Sequence, residues 1–414
     1  MEAPSPTTTP GDAAVSKQDL ANAIRALAMD AVQKAKSGHP GMPMGMADVA
    51  TVLFTQFFRF DASRPDWPDR DRFVLSAGHG SMLLYALLYL TGYEDMSLEE
   101  IKNFRQLGSR TAGHPEYGDC AGIETTTGPL GQGFGMSVGM ALAERLLSAR
   151  YGEKLVNHYT YVIASDGDLM EGVSHEAAAL AGHLGLSKLI VLYDDNEISI
   201  DGSTNLADST DQLKRFEAYG WDTRHVDGHD PQAVAEAIAA ARDSDRPSLI
   251  ACKTTIGFGA PTLAGSAKTH GAPLGEEEIA GAREKLGWPY EPFEIPDAIL
   301  AAWRAVGARG QELSADWDTV VAEMDSETRD HFLTELSGDL PQHWSDAVEQ
   351  FKRQMSEEQP KLATRQASQK VLDLLTAAVP NLIGGSADLT GSNGTKAAGQ
   401  KVIDRNDFSG SYIH

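Results

Sequence analysis

The residues best suited to chemistry follow two apolar segments, each of which predicts a β-strand. Asp166 and Gly167 come just after the first segment, and Asn196 follows the second, thirty residues later. Two parallel strands that end side by side could point a carboxylate and an amide oxygen at one hard cation, because Mg²⁺ prefers oxygen ligands. Gly167 would let a phosphate group approach the backbone, and the carbonyl of Ile198 would add a third ligand. This spacing predicts a metal–diphosphate site.

Three histidines stand in tight, glycine-flanked turns, each near a predicted helix start. They are His39, His79 and His114, and a fourth turn, at residues 128–131, carries glycine without histidine. Neutral imidazole groups can exchange protons with hydroxyl groups near pH 7, and backbone amides at the start of a helix can hold an anion. A single turn of this kind is more typical of a structural cap. The set together predicts a site for a polar, anionic ligand.

Four further positions are candidates for binding. His270 belongs to a Gly-rich loop, residues 253–275, that follows a predicted strand and could close over a diphosphate. Glu171 begins the helix after the metal-binding turn, where it could meet a cofactor amine or a partner subunit, or only interact with the helix dipole. Arg365 could bind a phosphate group through paired hydrogen bonds, although a solvated arginine is the commoner case. Ser392 lies in the same part of the chain.

The elements that must position these residues alternate between strand and helix. This alternation predicts an α/β fold with a parallel sheet covered by helices on both faces, and ligands of such sheets bind at the carboxyl ends of the strands. The predicted strands are 73–76, 159–165, 188–194, 221–227, 247–254 and 381–383. The predicted helices are 18–58 (broken at 38–43), 133–150, 171–185, 231–243 and 365–378.

The chain divides into four segments that differ in composition and predicted structure. Residues 1–16 are polar and rich in Pro and Thr, which predicts a disordered tail, and residues 17–275 hold the predicted sheet domain. Residues 276–360 are acidic and helical, which is typical of a connecting segment. Residues 361–414 contain one predicted helix and one predicted strand, which cannot bury a core of their own. We therefore expect a second α/β domain that begins at residue 361 and is incomplete.

The composition argues against several classes of function. The 414 residues carry a formal net charge of −24 and no Lys- or Arg-rich run, so nucleic-acid binding is not expected. The longest apolar run, near residues 82–90, is too short to span a bilayer, and the first residues lack the apolar segment of a signal peptide. Two cysteines do not make a disulfide framework, so we expect a cytoplasmic protein. An anionic ligand must be held by local groups against an unfavourable overall field.

Taken in their order and spacing, these motifs resemble those of the transketolase family of thiamine-diphosphate enzymes. The matching segments are residues 37–41, 75–81, 128–133, 166–172, 193–196, 363–365 and 384–390. The resemblance extends from about residue 17 to the end of the sequence. It implies the thiamine-diphosphate-binding fold, with thiamine diphosphate and Mg²⁺ (or Ca²⁺) as cofactors.

The resemblance also implies a role for each matching residue. The metal ligands would be Asp166, Asn196 and the carbonyl of Ile198. The cofactor would contact His79, Gly128, Leu130, Gly167, Glu171, Asn196, Ile200, His270 and Asp388. The catalytic histidines of the substrate channel would be His39, His79, His114 and His270. The sugar phosphate would be bound by His39, His270, Arg365 and Ser392.

Three features depart from the family pattern. Ser165 stands where the family has a glycine, which is tolerable if its φ is negative, and Ala267 stands where many members have a histidine. The family's catalytic glutamate would follow just beyond His414. We therefore expect this chain alone to bind cofactor and metal weakly and to turn over little or nothing. It could be one subunit of a split enzyme or a truncated product.

The function implied by the resemblance is the transfer of a two-carbon glycolaldehyde unit from a ketose phosphate to an aldose phosphate. In the family each active site is shared by two subunits, so we expect a homodimer, or a complex with a chain that supplies the rest of the pyrimidine-binding domain. Two alternatives stay open. One is another thiamine-diphosphate enzyme, such as a deoxyxylulose-phosphate synthase, a dihydroxyacetone synthase or a decarboxylase. The other is a non-catalytic subunit, against which the intact metal ligands argue.

Overall fold

The computed structural model describes residues 15–341 and 343–414. The predicted tail therefore lies outside the described residues except at its end, where Ser16 is the N-cap of the first helix. The Ser16 hydroxyl accepts a hydrogen bond from the Asp19 amide at 3.1 Å, and the Asp19 carboxylate accepts one from the Ser16 amide at 3.0 Å. This reciprocal pair satisfies two amides at the helix start and fixes where the helix begins.

Strands and helices make up most of the described chain. The strands are β1 (Arg72–Leu75), β2 (Thr160–Ser165), β3 (Leu189–Asp195), β4 (Ile198–Ser199), β5 (Gly202–Ser203), β6 (Asp222–Asp227), β7 (Ser248–Lys253), β8 (Gly384–Gly385) and β9 (Tyr412–Ile413). The helices are α1 (Lys17–Ala35), α2 (Gly41–Val52), α3 (Met82–Thr91), α4 (Leu98–Lys102), α5 (Gln132–Tyr151), α6 (Asp166–Met170), α7 (Gly172–Leu184), α8 (Gln212–Ala218), α9 (Pro231–Arg242), α10 (Glu276–Leu286), α11 (Asp297–Ala308), α12 (Gln311–Ala322), α13 (Ser326–Ser337), α14 (Trp344–Glu358), α15 (Thr364–Ala378) and α16 (Thr390–Asn393). Among the residues that the structure describes, none of these helices has the length and apolar character that crossing a membrane requires.

Five strands form one parallel sheet in the order β1-β2-β3-β7-β6. The register pairs Leu75 with Ile163 across β1 and β2, and Ser165 with Asp194 across β2 and β3. The carboxyl ends of these strands therefore lie along the same edge of the sheet. The predicted α/β fold with a parallel sheet is confirmed.

Successive residues of each strand pack into two separate cores, one on each face of the sheet. In β2, Tyr161 and Ile163 join a core with residues of α1, α2, α3 and α9, whereas Val162 and Ala164 join a core with residues of α5 and α7. Because both faces are covered, the strands can be apolar throughout instead of alternating between apolar and polar residues. The prediction of helices on both faces is also confirmed.

The helix predicted for residues 171–185 is confirmed as α7. A short helix that was not predicted, α6, precedes it, because Ser165 starts a helical turn directly at the end of β2. The strand predicted at residues 381–383 is wrong. In this segment the Leu382 amide donates a hydrogen bond to the Val379 carbonyl and so closes a turn, and the short strand β8 begins only after it.

The residues after α15 add to the core on the second face of the sheet. Ile403 and Phe408 are buried there beside Phe134 of α5. The guanidinium group of Arg145 lies 4.7 Å from the centre of the Phe408 ring, which is cation–π distance. In α15 itself, by contrast, no residue that the structure describes is buried. The carboxyl-terminal part of this chain therefore makes much of its apolar contact with the sheet domain.

Helix α7 touches the turn before β6 so closely that no methyl group fits at Gly182. A Cβ atom there would lie 1.9 Å from the carbonyl oxygen of Tyr219. We expect Gly182→Ala to lower the free energy of unfolding by about 1–3 kcal/mol, because the backbone must shift to admit the methyl group. Urea denaturation measures this change.

The matched control is Gly139→Ala at an exposed position of α5, where a Cβ would have no described atom within 4 Å. At such a position this substitution should stabilise the fold by up to about 1 kcal/mol. Similar effects of the two substitutions would contradict the close packing of α7.

Candidate functional site

The candidate site begins where β2 and β3 end side by side. Ser165 and Asp194 are register partners, so the residues that follow each strand meet at one edge of the sheet. The hydroxyl group of Tyr193 donates a hydrogen bond to Asp166 Oδ1 at 2.5 Å, which ties the two strand ends together. The structure thus places the Asp166 turn next to the end of β3.

Asp168, to which the sequence analysis assigned no role, is the buried centre of this edge. Its Oδ1 atom accepts hydrogen bonds from the Ser76 hydroxyl at 2.8 Å and the Gly131 amide at 2.9 Å. Its Oδ2 atom accepts bonds from the amide of Ser165 at 2.9 Å and from its hydroxyl at 3.0 Å. Burial raises the pKa of Asp168, and these four bonds act in the opposite direction. The carboxylate therefore joins the ends of β1 and β2 to the turn before α5.

The serine at position 165 fits its place without strain. Its φ is −112°, in the extended range that any residue can adopt. Its hydroxyl donates one of the four bonds to Asp168, which a glycine could not do. The departure from the family pattern at this position therefore adds a hydrogen bond to the site.

Among the residues that the structure describes, one carboxylate oxygen of Asp166 has no partner. Its Oδ2 atom is buried and makes no hydrogen bond within the described residues. Burial raises the pKa of Asp166 to about 7, and the nearby charges of Asp194 and Asp195 also raise it. A cation would supply the missing partner and favour the ionised carboxylate. In the part of the chain that the structure describes, no three His, Cys, Asp or Glu side chains form a metal site, so an ion here would need other oxygens too.

The side-chain amide of Asn196 is held at both of its ends. Its Nδ2 atom donates to Asp194 Oδ2 at 2.8 Å, and its Oδ1 atom accepts from the Ile198 amide at 2.9 Å. The hydroxyl of Thr254 donates to the other oxygen of Asp194 and so orients that carboxylate. Glu197 has a φ of +60°, so the backbone turns sharply between Asn196 and Ile198. These contacts hold Asn196 and Ile198, two of the three predicted metal ligands, beside the end of β3.

A cavity of about 240 Å³ opens at this edge of the sheet. The predicted site residues that line it are His39, His79, Gly128, Leu130, Gly167, Asn196, Ile198, Ile200 and His270. The lining residues that the sequence analysis did not assign are Met42, Ser165, Asp194, Ser199 and Ile256. A larger cleft of about 840 Å³ lies between α1 and α10, but no predicted site residue lines it. The smaller cavity is therefore the candidate site.

Four histidine rings from separate turns lie close together, and three of them, those of His39, His79 and His270, line this cavity. The centre of the His39 ring lies 5.2 Å from that of His79, 5.7 Å from that of His270 and 6.5 Å from that of His114. The rings of His79 and His270 are stacked, with their centres 5.0 Å apart. Parallel topology helps to bring three of these turns together, because the turn of His39 precedes α2, that of His79 follows β1 and that of His270 lies between β7 and α10.

These histidines are neutral at pH 7. Burial, together with repulsion from the neighbouring histidines, lowers the pKa of His39 to about 4 and that of His79 to about 3. Burial also lowers the pKa of His114 and of His270. A neutral imidazole donates a hydrogen bond from one nitrogen and accepts one at the other. The cluster can therefore bind hydroxyl groups and exchange protons with them.

Gly128 allows one of these histidines to approach the site. Its φ is +141°, a conformation that residues with a side chain rarely adopt. A Cβ atom at this position would lie 3.1 Å from the ring of His114. The glycine therefore lets the turn before α5 pack directly against the imidazole.

Six other predicted residues do not line the cavity. One is Asp166, although the next residue, Gly167, does line it. His114 lines a neighbouring cavity of about 740 Å³, and Glu171 is exposed at the N-cap of α7. Arg365 and Ser392 are both exposed and meet each other, since Arg365 Nη1 donates to the Ser392 carbonyl at 3.3 Å. Asp388 is exposed, with a φ of +63°. Their roles in binding stay predictions.

The proteins that this chain matches agree with the family resemblance seen in its sequence. The family model described as transketolase, thiamine diphosphate binding domain, matches residues 16–341. A transketolase of Cereibacter sphaeroides is 58% identical over 404 residues, which are 97% of this chain and 61% of that protein. The structure of a transketolase from Leishmania mexicana matches with a TM-score of 0.91 at 42% identity, over 97% of this chain and 60% of that one. A Pichia stipitis transketolase, solved in complex with sedoheptulose-7-phosphate, matches with a TM-score of 0.90 at 42% identity, over 96% and 60%. The chain thus spans about 60% of the length of these relatives.

Asp168→Asn tests the buried centre of the site. The amide group would place two donors where other donors already point, so we expect the free energy of unfolding to fall by about 2–4 kcal/mol. Urea denaturation gives the value. Asp316→Asn, at an exposed position of α12, is the matched control and should change stability by less than about 0.5 kcal/mol. A loss at Asp168 no larger than the control's would contradict the role of this carboxylate.

His79→Gln tests the neutral histidine cluster. Below pH 6.5 the unfolded chain binds a proton at His79, but the folded chain binds it only near pH 3, so acidification in this window destabilises the folded state. Wild-type protein should therefore lose about 2 kcal/mol more stability than the variant between pH 7.5 and pH 5. Denaturation at the two pH values measures the difference. His183→Gln, at an exposed position of α7, is the control. Identical pH dependence in wild type and His79→Gln would show that the folded protein protonates His79 readily.

Proposed function

The chain belongs to the transketolase family, and from this premise we propose that it forms the part of a transketolase that binds the metal and the diphosphate of thiamine diphosphate. The proposed reaction transfers a two-carbon glycolaldehyde unit from a ketose phosphate to an aldose phosphate. One observation carries the proposal. A single cavity brings Gly167, Asn196 and three histidines together, and Asp166, directly before Gly167 in the chain, has a buried carboxylate oxygen with no partner among the residues that the structure describes.

The oxygen atoms around Asp166 suit a hard cation, Mg²⁺ or Ca²⁺. Asp166 would contribute Oδ2, Asn196 its amide oxygen and Ile198 its backbone carbonyl. Mg²⁺ usually shares its coordination shell with phosphate oxygens, so three protein ligands would leave room for the diphosphate. Without an ion, repulsion from Asp194 and Asp195 helps to raise the pKa of Asp166. A bound ion would reduce this repulsion.

The cofactor itself would lie along the lining of the cavity. Gly167 presents backbone without a side chain, and the neutral ring of His79 can donate a hydrogen bond to a phosphate oxygen. Gly128, Leu130 and Ile200 provide apolar surface for the rings of the cofactor. Asp388 is assigned to the cofactor by resemblance alone.

The histidines would handle the sugar. Thiamine diphosphate, when bound, supplies the electron sink that allows the bond between C2 and C3 of a ketose to break. His39, His79 and His270 can each hold or pass a proton at a substrate hydroxyl group, because their rings are neutral at pH 7. His114 lies where the site meets the neighbouring 740 Å³ cavity, through which a sugar could enter.

Sugar phosphates are the proposed substrates, and the cytoplasm is the proposed location. The relative from Pichia stipitis was solved with such a compound, which supports this substrate class. Arg365 and Ser392 would bind the phosphate group. Both are exposed and adjacent, and a guanidinium group can form paired hydrogen bonds to a phosphate.

A second copy of the chain is the proposed partner. Large apolar side chains are exposed around the site: Ile200, which lines the cavity, is 67% exposed, and Leu206 is 74% exposed. Leu107, which lines the 740 Å³ cavity, is exposed, and so is Tyr117, which is close in the chain to other residues that line it. Exposed apolar surface of this kind is typical of protein interfaces. Glu171, also exposed, would be free to contact the partner or the cofactor.

Calorimetric titration with thiamine diphosphate tests the proposal. We expect binding that requires Mg²⁺, and no comparable binding of thiamine, which lacks the diphosphate. Asp166→Asn should weaken the binding at least about 10-fold, because the ion loses a charged ligand. Asp316→Asn should bind as wild type does. Binding of thiamine diphosphate that needs no divalent ion, or that Asp166→Asn leaves unchanged, would contradict the proposal.

A further inference from the structure

The loop after β7 is held in place by a histidine that lies outside the cavity. The Thr255 amide donates a hydrogen bond to His229 Nε2 at 3.0 Å. His229 Nδ1 lies 2.8 Å from Asp48 Oδ2, and the same carboxylate oxygen accepts a bond from Arg25 at 2.5 Å. Phe258, further along the loop, stacks on the His229 ring with the ring centres 4.1 Å apart. Residues of α1, α2 and two loops thus meet at one imidazole.

This arrangement fixes the tautomer of His229. A backbone amide can only donate, so Nε2 must carry the lone pair, and the ring proton must be on Nδ1, where it is donated to Asp48. Burial alone would raise the pKa of Asp48, but the bonds and charges of His229 and Arg25 lower it, which keeps the carboxylate ionised as an acceptor. His229 is therefore a neutral link between a buried carboxylate and a backbone amide.

Helix α2 is shaped to receive the loop that His229 holds. Gly41, Gly45 and Asp48 recur at the spacing of one helix face. A Cβ atom at Gly41 would lie 2.5 Å from the Thr269 carbonyl, and one at Gly45 would lie 3.0 Å from the Thr255 carbonyl. The two glycines let the loop backbone lie directly on the helix, and Asp48 ends the same face with the bond to His229.

The same loop carries residues of the candidate site. Ile256, next to Thr255, lines the cofactor cavity, and His270 lies further along the same Gly-rich loop. Thr254, on the other side of Thr255, bonds to Asp194, which orients the amide of Asn196. The position of these two threonines therefore affects both the wall of the cavity and a predicted metal ligand.

We propose that His229 is a positioning residue for the cofactor cavity. It links Asp48 of α2 to the Thr255 amide and so fixes the position of the loop at Thr255. The position of the loop in turn determines where Ile256 lies and how the hydrogen bonds from Thr254 through Asp194 orient Asn196. His229 itself does not line the cavity. The inference rests on the proposed function only in naming thiamine diphosphate and Mg²⁺ as the ligands that the positioned residues bind.

Three variants test this role. His229→Leu removes both hydrogen bonds, His229→Gln retains an acceptor for the Thr255 amide, and His183→Leu, at an exposed position of α7, is the matched control. Hydrogen–deuterium exchange measures the Thr255 amide, and calorimetry measures the Kd of thiamine diphosphate with Mg²⁺. NMR of the wild-type imidazole nitrogens identifies the tautomer.

We expect His229→Leu to speed exchange at Thr255 at least 10-fold and to weaken cofactor binding about 10-fold, with His229→Gln in between and His183→Leu unchanged. The wild-type spectrum should show the proton on Nδ1. Unchanged exchange, or a proton on Nε2, would overturn the proposed contact. Faster exchange with an unchanged Kd would overturn the positioning role and leave His229 a purely structural residue. If wild-type protein binds no thiamine diphosphate, the proposed function fails, while the exchange and NMR results still decide the contact.

Discussion

One buried carboxylate, that of Asp168, is the interaction on which the site depends. It accepts hydrogen bonds from the end of β1, the end of β2 and the turn before α5, segments that are far apart in the chain; Ser76 alone is 92 residues away. Each donor would be left unsatisfied in a buried place without it. The motif after β2 therefore has two aspartates with different tasks. Asp168 connects the segments at this edge of the sheet, whereas one oxygen of the neighbouring Asp166 has no hydrogen-bond partner in the described part of the chain.

The electrostatics of the site explain why a metal ion fits it. The chain carries a net charge of −24, and burial together with mutual repulsion raises the pKa of Asp166 to about 7 and that of Asp194 to about 6. The histidines nearby are neutral, so they add no positive charge for an incoming diphosphate. A divalent cation would reduce the repulsion among the carboxylates and would supply the positive charge that attracts the phosphate groups. The neutral histidines would then be left to donate hydrogen bonds.

Much of the fold could be predicted from the sequence, because four of the five strands of the parallel sheet, β1, β2, β3 and β7, are short and largely apolar runs, and chemistry-bearing residues follow them. The parallel sheet and its two covered faces came from that alternation. The gathering of His39, His79 and His270 followed from their turns, since parallel topology leaves few other places for them. Asp168 and His229 could not be found in this way. Their partners are distant in the chain, and an Asp near a strand end has the same local pattern whether it binds a ligand or caps a turn. The strand expected at residues 381–383 failed for a related reason, because a short apolar run does not distinguish a strand from a turn without its pairing partner.

The most direct test of the account is a crystal structure of the chain with thiamine diphosphate and Mn²⁺, an anomalous scatterer that takes the same oxygen ligands as Mg²⁺. The account predicts one anomalous peak in the 240 Å³ cavity, about 2 Å from oxygen atoms of Asp166 and Asn196 and in contact with the diphosphate. A diphosphate bound elsewhere on the protein, or an ion that contacts neither side chain, would contradict it.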